Sequence, residues 1–238
     1  MKAIINPWTK AIAMVGKTTV LRVRIFQPKA CYTTPLSFKG IETYPLPPYS
    51  TIRGMIYNAM GRKYKDGDEI EFSIQGKFGS LYRDYWNAVK FGDEGREKKP
   101  IEVPTLHNVE LIIHIRTNII DEIEKALKKP KVYLSLGRME DLIRIEECKR
   151  VGLEEVDLND IFKKPIISSY CAYIPVEKAE EAGLNGIFYR LNCFYEIRNN
   201  YRIFENTKDV FYVDEPYIVE KGKILVDRDG KEVYPVWF

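Results

Sequence analysis

Residues 108–118, NVELIIHIRTN, carry an apolar side chain at every second position: Val109, Leu111, Ile113 and Ile115. A strict period of two over this length predicts a strand with one buried face, and such a strand needs neighbours and a covering layer. TTVLRVRIF (18–26) has the same pattern, with Leu21, Val23 and Ile25 on one face and Arg22 and Arg24 on the other, which reads as a basic open face. DEIEFSIQG (68–76) is a third such stretch, with Ile70, Phe72 and Ile74 inward.

Between these strands the period changes. STIRGMIYNAMG (50–61) places Ile52, Met55, Ile56, Ala59 and Met60 on one helical face. Ser50 is the expected N-cap and Gly61 the expected stop. NIIDEIEKALKKP (118–130) is a second helix, with Asn118 as its cap, Asp121 and Glu122 in its first turn, Lys128 and Lys129 in its last, and Pro130 ending it. KVYLSLG (131–137) reads as a fourth strand, and DLIRIEECKRV (141–151) is available to extend the sheet. The order strand, helix, strand, strand, helix, strand is that of an α+β, ferredoxin-like (RRM-like) βαββαβ domain. Both helices then cover one sheet face and leave the other free to bind, as in RNA-recognition modules.

Two segments exceed this pattern. Residues 76–104 are far longer than a hairpin connection needs and read as an inserted hairpin. In it Lys77, Arg83, Lys90, Arg96, Lys98 and Lys99 interleave with Phe78, Tyr82, Tyr85, Trp86 and Phe91. Basic and stacking side chains together suit single-stranded nucleic acid, although Asp84, Asp93, Glu94 and Glu97 dilute the charge. Residues 166–238 form a small β-rich C-terminal region beside a first domain of residues 1–165. In this region IFYRLNCFYEI (187–197) alternates, and KILVDRDGKEVYPVWF (223–238) predicts a hairpin turning at Asp229-Gly230.

The stretch YPLPPYSTIRGMIYNAMG (44–61) stiffens its backbone with Pro45, Pro47 and Pro48 just before a helix. It then accepts Gly54 inside that helix, at a cost of about 1 kcal/mol relative to alanine. One reading is a rigid ledge on which Tyr44, Tyr49, Ser50 and Arg53 grip a phosphodiester backbone at the helix N-terminus. The other is a proline-rich turn whose Gly54 packs against the sheet.

Composition narrows the chemistry. The chain has 37 Lys and Arg against 34 Asp and Glu. Residues 1–60 nevertheless hold eight of the bases and a single acid, Glu42, so one basic end sits on a nearly balanced chain and suggests a polyanion site. The four cysteines are scattered without a CxxC pair, which suggests neither zinc nor disulfides and fits a cytoplasmic protein. No run of about 18 apolar residues predicts a membrane span, and the N-terminus does not read as a secretion signal. Only His107 and His114 are present. No carboxylate cluster or Walker-type loop predicts a metal or other cofactor.

Several of these segments resemble the CRISPR-associated family numbered five. YPLPPYSTIRG resembles its proline loop and first-helix motif, LRVRIFQPKACYTTP its first strand and following loop, and YLSLGRMEDLIRI its Leu-Gly-Arg segment. The likeness spans most of residues 18–150, and the chain most resembles the variant of type I-B or related systems. It implies a non-catalytic RNA-binding subunit of Cascade that holds the 5′ handle of the crRNA. It also implies two protein partners, the family-seven backbone subunit and the large subunit, with the 76–104 hairpin acting as a thumb across the RNA. The candidate RNA contacts on the first strand, its loop and the ledge are Arg22, Arg24, Lys29, Tyr32, Lys39, Tyr44, Tyr49, Ser50, Thr51 and Arg53. The thumb adds Lys77, Arg83 and Trp86, and the Leu-Gly-Arg segment adds Arg138, which could instead bond to the chain's own carbonyls.

Two alternatives stand beside this reading. A type I-C branch of the same family cleaves precursor RNA without metal, using a tyrosine late in the first helix and a Lys-His pair before the second. Here Met60 takes the tyrosine's place, and Arg116, Thr117 and Asn118 stand where Lys-His would be. His114 shares a face with Arg116 and reads either as an RNA contact or as a satisfied interface histidine. The second alternative is a small-molecule protein on a ferredoxin-like scaffold.

Overall fold

The computed structural model describes residues 18–35, 40–63, 67–92, 95–160, 162–199, 201–230 and 232–238. Lys39 lies outside the described residues, as do Lys2, Lys10 and Lys17 of the basic end. The first half runs β1 (Thr18–Ala30), β2 (Tyr32–Thr33), β3 (Thr43–Tyr44), α1 (Tyr49–Met60), β4 (Ile70–Lys77), β5 (Ser80–Gly92), β6 (Gly95–Thr117), α2 (Ile120–Lys128) and β7 (Arg144–Asp157). The rest runs β8 (Ile166–Ser168), β9 (Cys171–Pro175), α3 (Val176–Ala182), β10 (Ile187–Arg198), β11 (Tyr201–Val213), β12 (Tyr217–Val219), β13 (Lys223–Asp227) and β14 (Tyr234–Val236).

The three alternating stretches form the middle of one antiparallel sheet, ordered β10-β11-β9-β4-β6-β1-β7-β13-β14, with β5 paired to β6. Leu21, Val23 and Ile25 lie opposite Ile115, Ile113 and Leu111, so the buried faces of β1 and β6 coincide. That face packs on Ile52, Met55, Ile56 and Ala59 of α1 and on Ile123 and Leu127 of α2. Burying each such aliphatic side chain stabilises the fold by about 1.5–3 kcal/mol, which is why the alternation is so strict here.

The helix caps differ from expectation. Pro48, not Ser50, is the N-cap of α1, and the Ser50 side chain makes no cap bond. The fixed φ of −67° at Pro48 sets the chain for the first turn, and its carbonyl accepts from Thr51 N at 3.0 Å. Gly61 does end α1, in the left-handed region at φ 63°. The cap of α2 is Ile119, not Asn118. The Asn118 side chain instead accepts from Glu69 N at 3.1 Å and donates to Gly67 O at 2.8 Å, tying down the entrance to β4.

The fourth strand is also displaced. Residues 131–137 hold a single bridge, Ser135 to Leu142, and β7 completes the sheet beside β1. Gly137, at φ 106°, turns the chain, and a Cβ there would meet Cys31 O at 2.9 Å. The Gln27 side chain, donating to Leu136 O at 2.6 Å and Asp141 O at 2.9 Å, satisfies the carbonyls that a ladder would have used.

The expected open sheet face is closed. Arg22, His114 and Ser73 stand in register across β1, β6 and β4, and all three are buried. The cover is the C-terminal hairpin β13–β14, which forms where the sequence places a turn, with β13 ending at Asp227 and β14 beginning at Tyr234. Trp237 N donates to Ser73 Oγ at 2.9 Å, and Gln75 Nε2 to Pro235 O at 2.6 Å. Asp227 accepts from Arg22 Nη1 at 2.7 Å and lies 3.0 Å from His114 Nε2. Residues 166–238 thus extend the sheet at both edges, through β9 on β4 and β13 on β7, and also cap its second face.

This cluster makes stability pH-dependent. Burial lowers the His114 pKa below its ordinary 6.5, against the Asp227 hydrogen bond and charge, which raise it. For a base with a depressed folded pKa, the unfolded chain binds more protons below 6.5, so its contribution is full above that pH and is lost as pH falls. Asp227 acts in the same direction at lower pH: burial raises its pKa, but bonds from His114, Asp229 N–H and Arg22 hold it below 3.8. The melting temperature should therefore fall between about pH 7 and about pH 5, and His114→Gln should flatten that fall. An equal fall in both proteins would contradict this.

Candidate nucleic-acid interface

The proline-braced ledge is occupied by the chain itself. Tyr44 is buried and packs edge-on to Tyr189 of β10 at 5.6 Å. Tyr49 and Ser50 are buried, and Thr51 is half-buried. Arg53 donates to Cys193 O at 3.2 Å and Ile70 O at 2.9 Å, with its guanidinium over Phe72 and Phe194. A Cβ on Gly54 would stand 3.3 Å from the Tyr195 hydroxyl. The close approach read from Gly54 is real, but the approaching group is strand β10. The charged shelf expected here is therefore a packing surface for the β10–β11 hairpin.

Two further candidates, Arg22 on β1 and Tyr32 on β2, are likewise engaged within the fold. Arg22 is 3% exposed and pairs with Glu147 at 2.9 Å as well as Asp227. Tyr32 is buried, with its hydroxyl donating to Gln27 Oε1 at 2.8 Å, and burial pushes its pKa well up. His114 is fully buried within the fold, its Nε2 3.0 Å from Asp227 Oδ2 and its Nδ1 without a hydrogen-bond partner among the described residues. Arg24 is half-buried and makes no hydrogen bond or ion pair among the described residues. Lys77 lies 3.4 Å from Glu110 and over the Tyr170 ring at 5.1 Å.

The remaining candidates converge at the base of the long hairpin. β5 and β6 pair without interruption from Ser80–His107 to Gly92–Gly95. Alternation puts Tyr82, Asp84 and Trp86 on one face of β5. Arg138 lies over the Trp86 ring at 4.4 Å and Lys29 at 5.9 Å. The indole Nε1–H donates to Asp84 Oδ2 at 3.2 Å. Exposed His107 stands opposite both Lys29 of β1 and Ser80 of β5, and its ring meets Tyr82 edge-on at 6.4 Å. Tyr82 is 41% exposed, and Met139, in the loop after Arg138, is 88% exposed. Arg83 is exposed and pairs across the hairpin with Glu102 at 3.3 Å.

Arg138 does bond within its own chain, but to a carboxylate and not to carbonyls. Asp141, fully buried, accepts from Arg138 N, Nε and Nη2 at 3.1, 3.0 and 2.8 Å, and from Cys31 N at 3.0 Å. Sequence reasoning missed Asp141, although an acid three residues after the arginine of Leu-Gly-Arg is a visible signal. It also missed Tyr195 and Asp227, whose partners lie more than a hundred residues away.

The fold and site define a class: an α+β protein with one large, mostly antiparallel sheet, few helices, a projecting hairpin and cations set over an aromatic ring at the hairpin's base. Cations and exposed rings in that arrangement can hold a phosphate chain and stack its bases. The chain belongs to the CRISPR-associated protein (Cas_Cas5) family, whose model matches residues 20–210. A chain of a CRISPR RNA-guided surveillance complex is similar at TM-score 0.55 and 15% identity, covering 84% of this chain and 90% of that one. That likeness shows a shared fold. A CRISPR protein from Archaeoglobus fulgidus is similar at TM-score 0.45 and 12% identity over 92% of this chain and 100% of that one. A chain of the Type III-B Cmr-beta complex bound to cognate target RNA is similar at TM-score 0.44 and 14% identity over 84% and 86%. No curated protein matches the chain by sequence.

Proposed function

We propose that this chain is the RNA-binding subunit of a type I CRISPR Cascade complex, of I-B-like type, which holds the 5′ handle of the crRNA. In this reading it caps the family-seven backbone, meets the large subunit and does not itself cut RNA. Family membership supports a place in a CRISPR effector complex. The observation that carries the RNA assignment is the set of Lys29 and Arg138 over Trp86, beside exposed Tyr82 and His107. The strand order β4-β6-β1-β7, with α1 following β1 and α2 following β6, supports a ferredoxin-like (RRM-like) domain at the centre. Because the second sheet face is covered, the RNA runs along the hairpin and its base, not across the sheet.

The test is binding of single-stranded RNA across a salt series. Log affinity should fall with log salt at a slope near −0.7 per phosphate contacted, while a neutral small ligand would show almost none. Discrete cleavage of repeat RNA in chelator would contradict the non-catalytic assignment. Replacing residues 81–102 with a short Gly/Ser loop should leave the melting temperature nearly unchanged, because none of the segment's described side chains, those of residues 81–87 and 100–102, belongs to a core cluster. That variant should fail to co-purify with crRNA and a backbone subunit; normal co-purification would mean the hairpin is not the thumb.

A further inference from the structure

Beneath the hairpin base runs a polar chain that is buried from Tyr32 to Asp141 and reaches the surface at Arg138, which is part-buried and also lies 3.4 Å from exposed Glu140. Tyr32 Oη donates to Gln27 Oε1, Gln27 Nε2 donates to the carbonyls of Leu136 and Asp141, and the Asp141 carboxylate holds Arg138 through three donors. Arg138 Nε and Nη2 are thus fixed, and its remaining nitrogen, Nη1, has no hydrogen-bond partner. The guanidinium lies 4.4 Å from the centre of the Trp86 ring. A buried N–H without a partner is costly, and it persists where the surroundings over-determine the group or a ligand completes it.

We propose that Asp141 is the positioning residue of the RNA interface. It sets the Arg138 guanidinium against the Trp86 indole, so that the ring and one unmatched donor are preorganised for an oxygen-rich ligand, the phosphate and base acceptors of single-stranded RNA. This rests on the function proposed above. Asp141 is an anion next to a polyanion site, so removing its charge would, by electrostatics alone, strengthen RNA binding. Positioning predicts the reverse, because a guanidinium free to wander is no longer preorganised.

The test uses the full chain, a labelled oligouridylate of about twelve nucleotides, and the variants D141N, R138A, their double, W86F and Y32F. D141N should weaken RNA binding by about tenfold at fixed salt, and the double should be no weaker than R138A alone, since Asp141 acts through Arg138. Without RNA, D141N should shift the part of the tryptophan emission that W86F removes. Y32F, a milder cut in the same chain, should weaken binding about two- to threefold, and it keeps the proposal testable if D141N does not fold. Unchanged or tighter binding by D141N, additive effects in the double, or Trp86 emission unaltered in D141N would each overturn the proposal. Failure of the wild-type chain to bind would instead overturn the functional reading beneath it, and is recognised because the unaltered protein fails too.

Discussion

Asp227→Ala should lower the free energy of unfolding by about 3 kcal/mol in a urea titration, with the denaturant slope unchanged. Asp227 is 0% exposed and sits between Arg22 Nη1 and His114 Nε2. It also accepts from Asp229 N at 2.8 Å, which shapes the loop of the C-terminal hairpin. Deleting the carboxylate strands a guanidinium that the fold shields from water, and breaking a buried pair from one side typically costs about 3–5 kcal/mol. The low end applies because Glu147, partly exposed, still holds Arg22 Nε at 2.9 Å. Glu147→Ala should cost less than Asp227→Ala, because Glu147 is partly exposed and Asp227 still holds Arg22 Nη1 at 2.7 Å. A loss below about 1 kcal/mol for Asp227→Ala would mean that the hairpin does not seal this face in solution.

Trp86→Ala should weaken RNA binding by about 1–3 kcal/mol, roughly 5- to 150-fold, with little change in melting temperature. The indole is only partly buried and is not part of the core cluster, so its loss opens no large cavity. It is the ring over which both Arg138 and Lys29 lie, so its removal takes away the stacking surface and unfastens both cations. No charge is deleted, so the salt slope should stay as in the wild type. Lys29→Ala should do the complementary thing, reducing the magnitude of the slope by about 0.7 while leaving stacking in place. Wild-type affinity in Trp86→Ala would remove the hairpin base from the RNA path.

Alternation located the strands and Gly61 the end of α1, whereas neither expected N-cap caps its helix: Ser50 lies inside α1, after Pro48, and Asn118 lies before Ile119. β1, β4 and β6 follow from the period of two because a covering helix layer enforces it, and α1 follows from Ile52, Met55 and Ile56. The long insertion was legible from length alone. The second sheet face was not legible, because Arg22 opposite an apolar stripe looks the same whether it meets water or an acid 205 residues later. The close neighbour read from Gly54 is present. Nothing local in sequence distinguishes a nucleotide from Tyr195 as that neighbour. Ser50 lost the cap to Pro48 because a proline with φ already near −65° makes a side-chain cap dispensable. The fourth strand slipped from residue 131 to Arg144 because Gln27 and Asp141 satisfy the Leu-Gly-Arg loop through side chains. At the candidate site, Lys29, Trp86 and Arg138 were all visible as residue types, but only the folded chain places them together.

The central claim is that RNA lies at the base of the β5–β6 hairpin, and not on the loop entering α1. Ultraviolet cross-linking of the chain within its purified ribonucleoprotein, followed by peptide mapping, tests this most directly. The account predicts adducts at Tyr82, Trp86 or Lys29 and none at Tyr44, Tyr49 or Arg53, which β10 and β11 cover. Adducts confined to the α1 entrance, with the hairpin base unmodified, would contradict it.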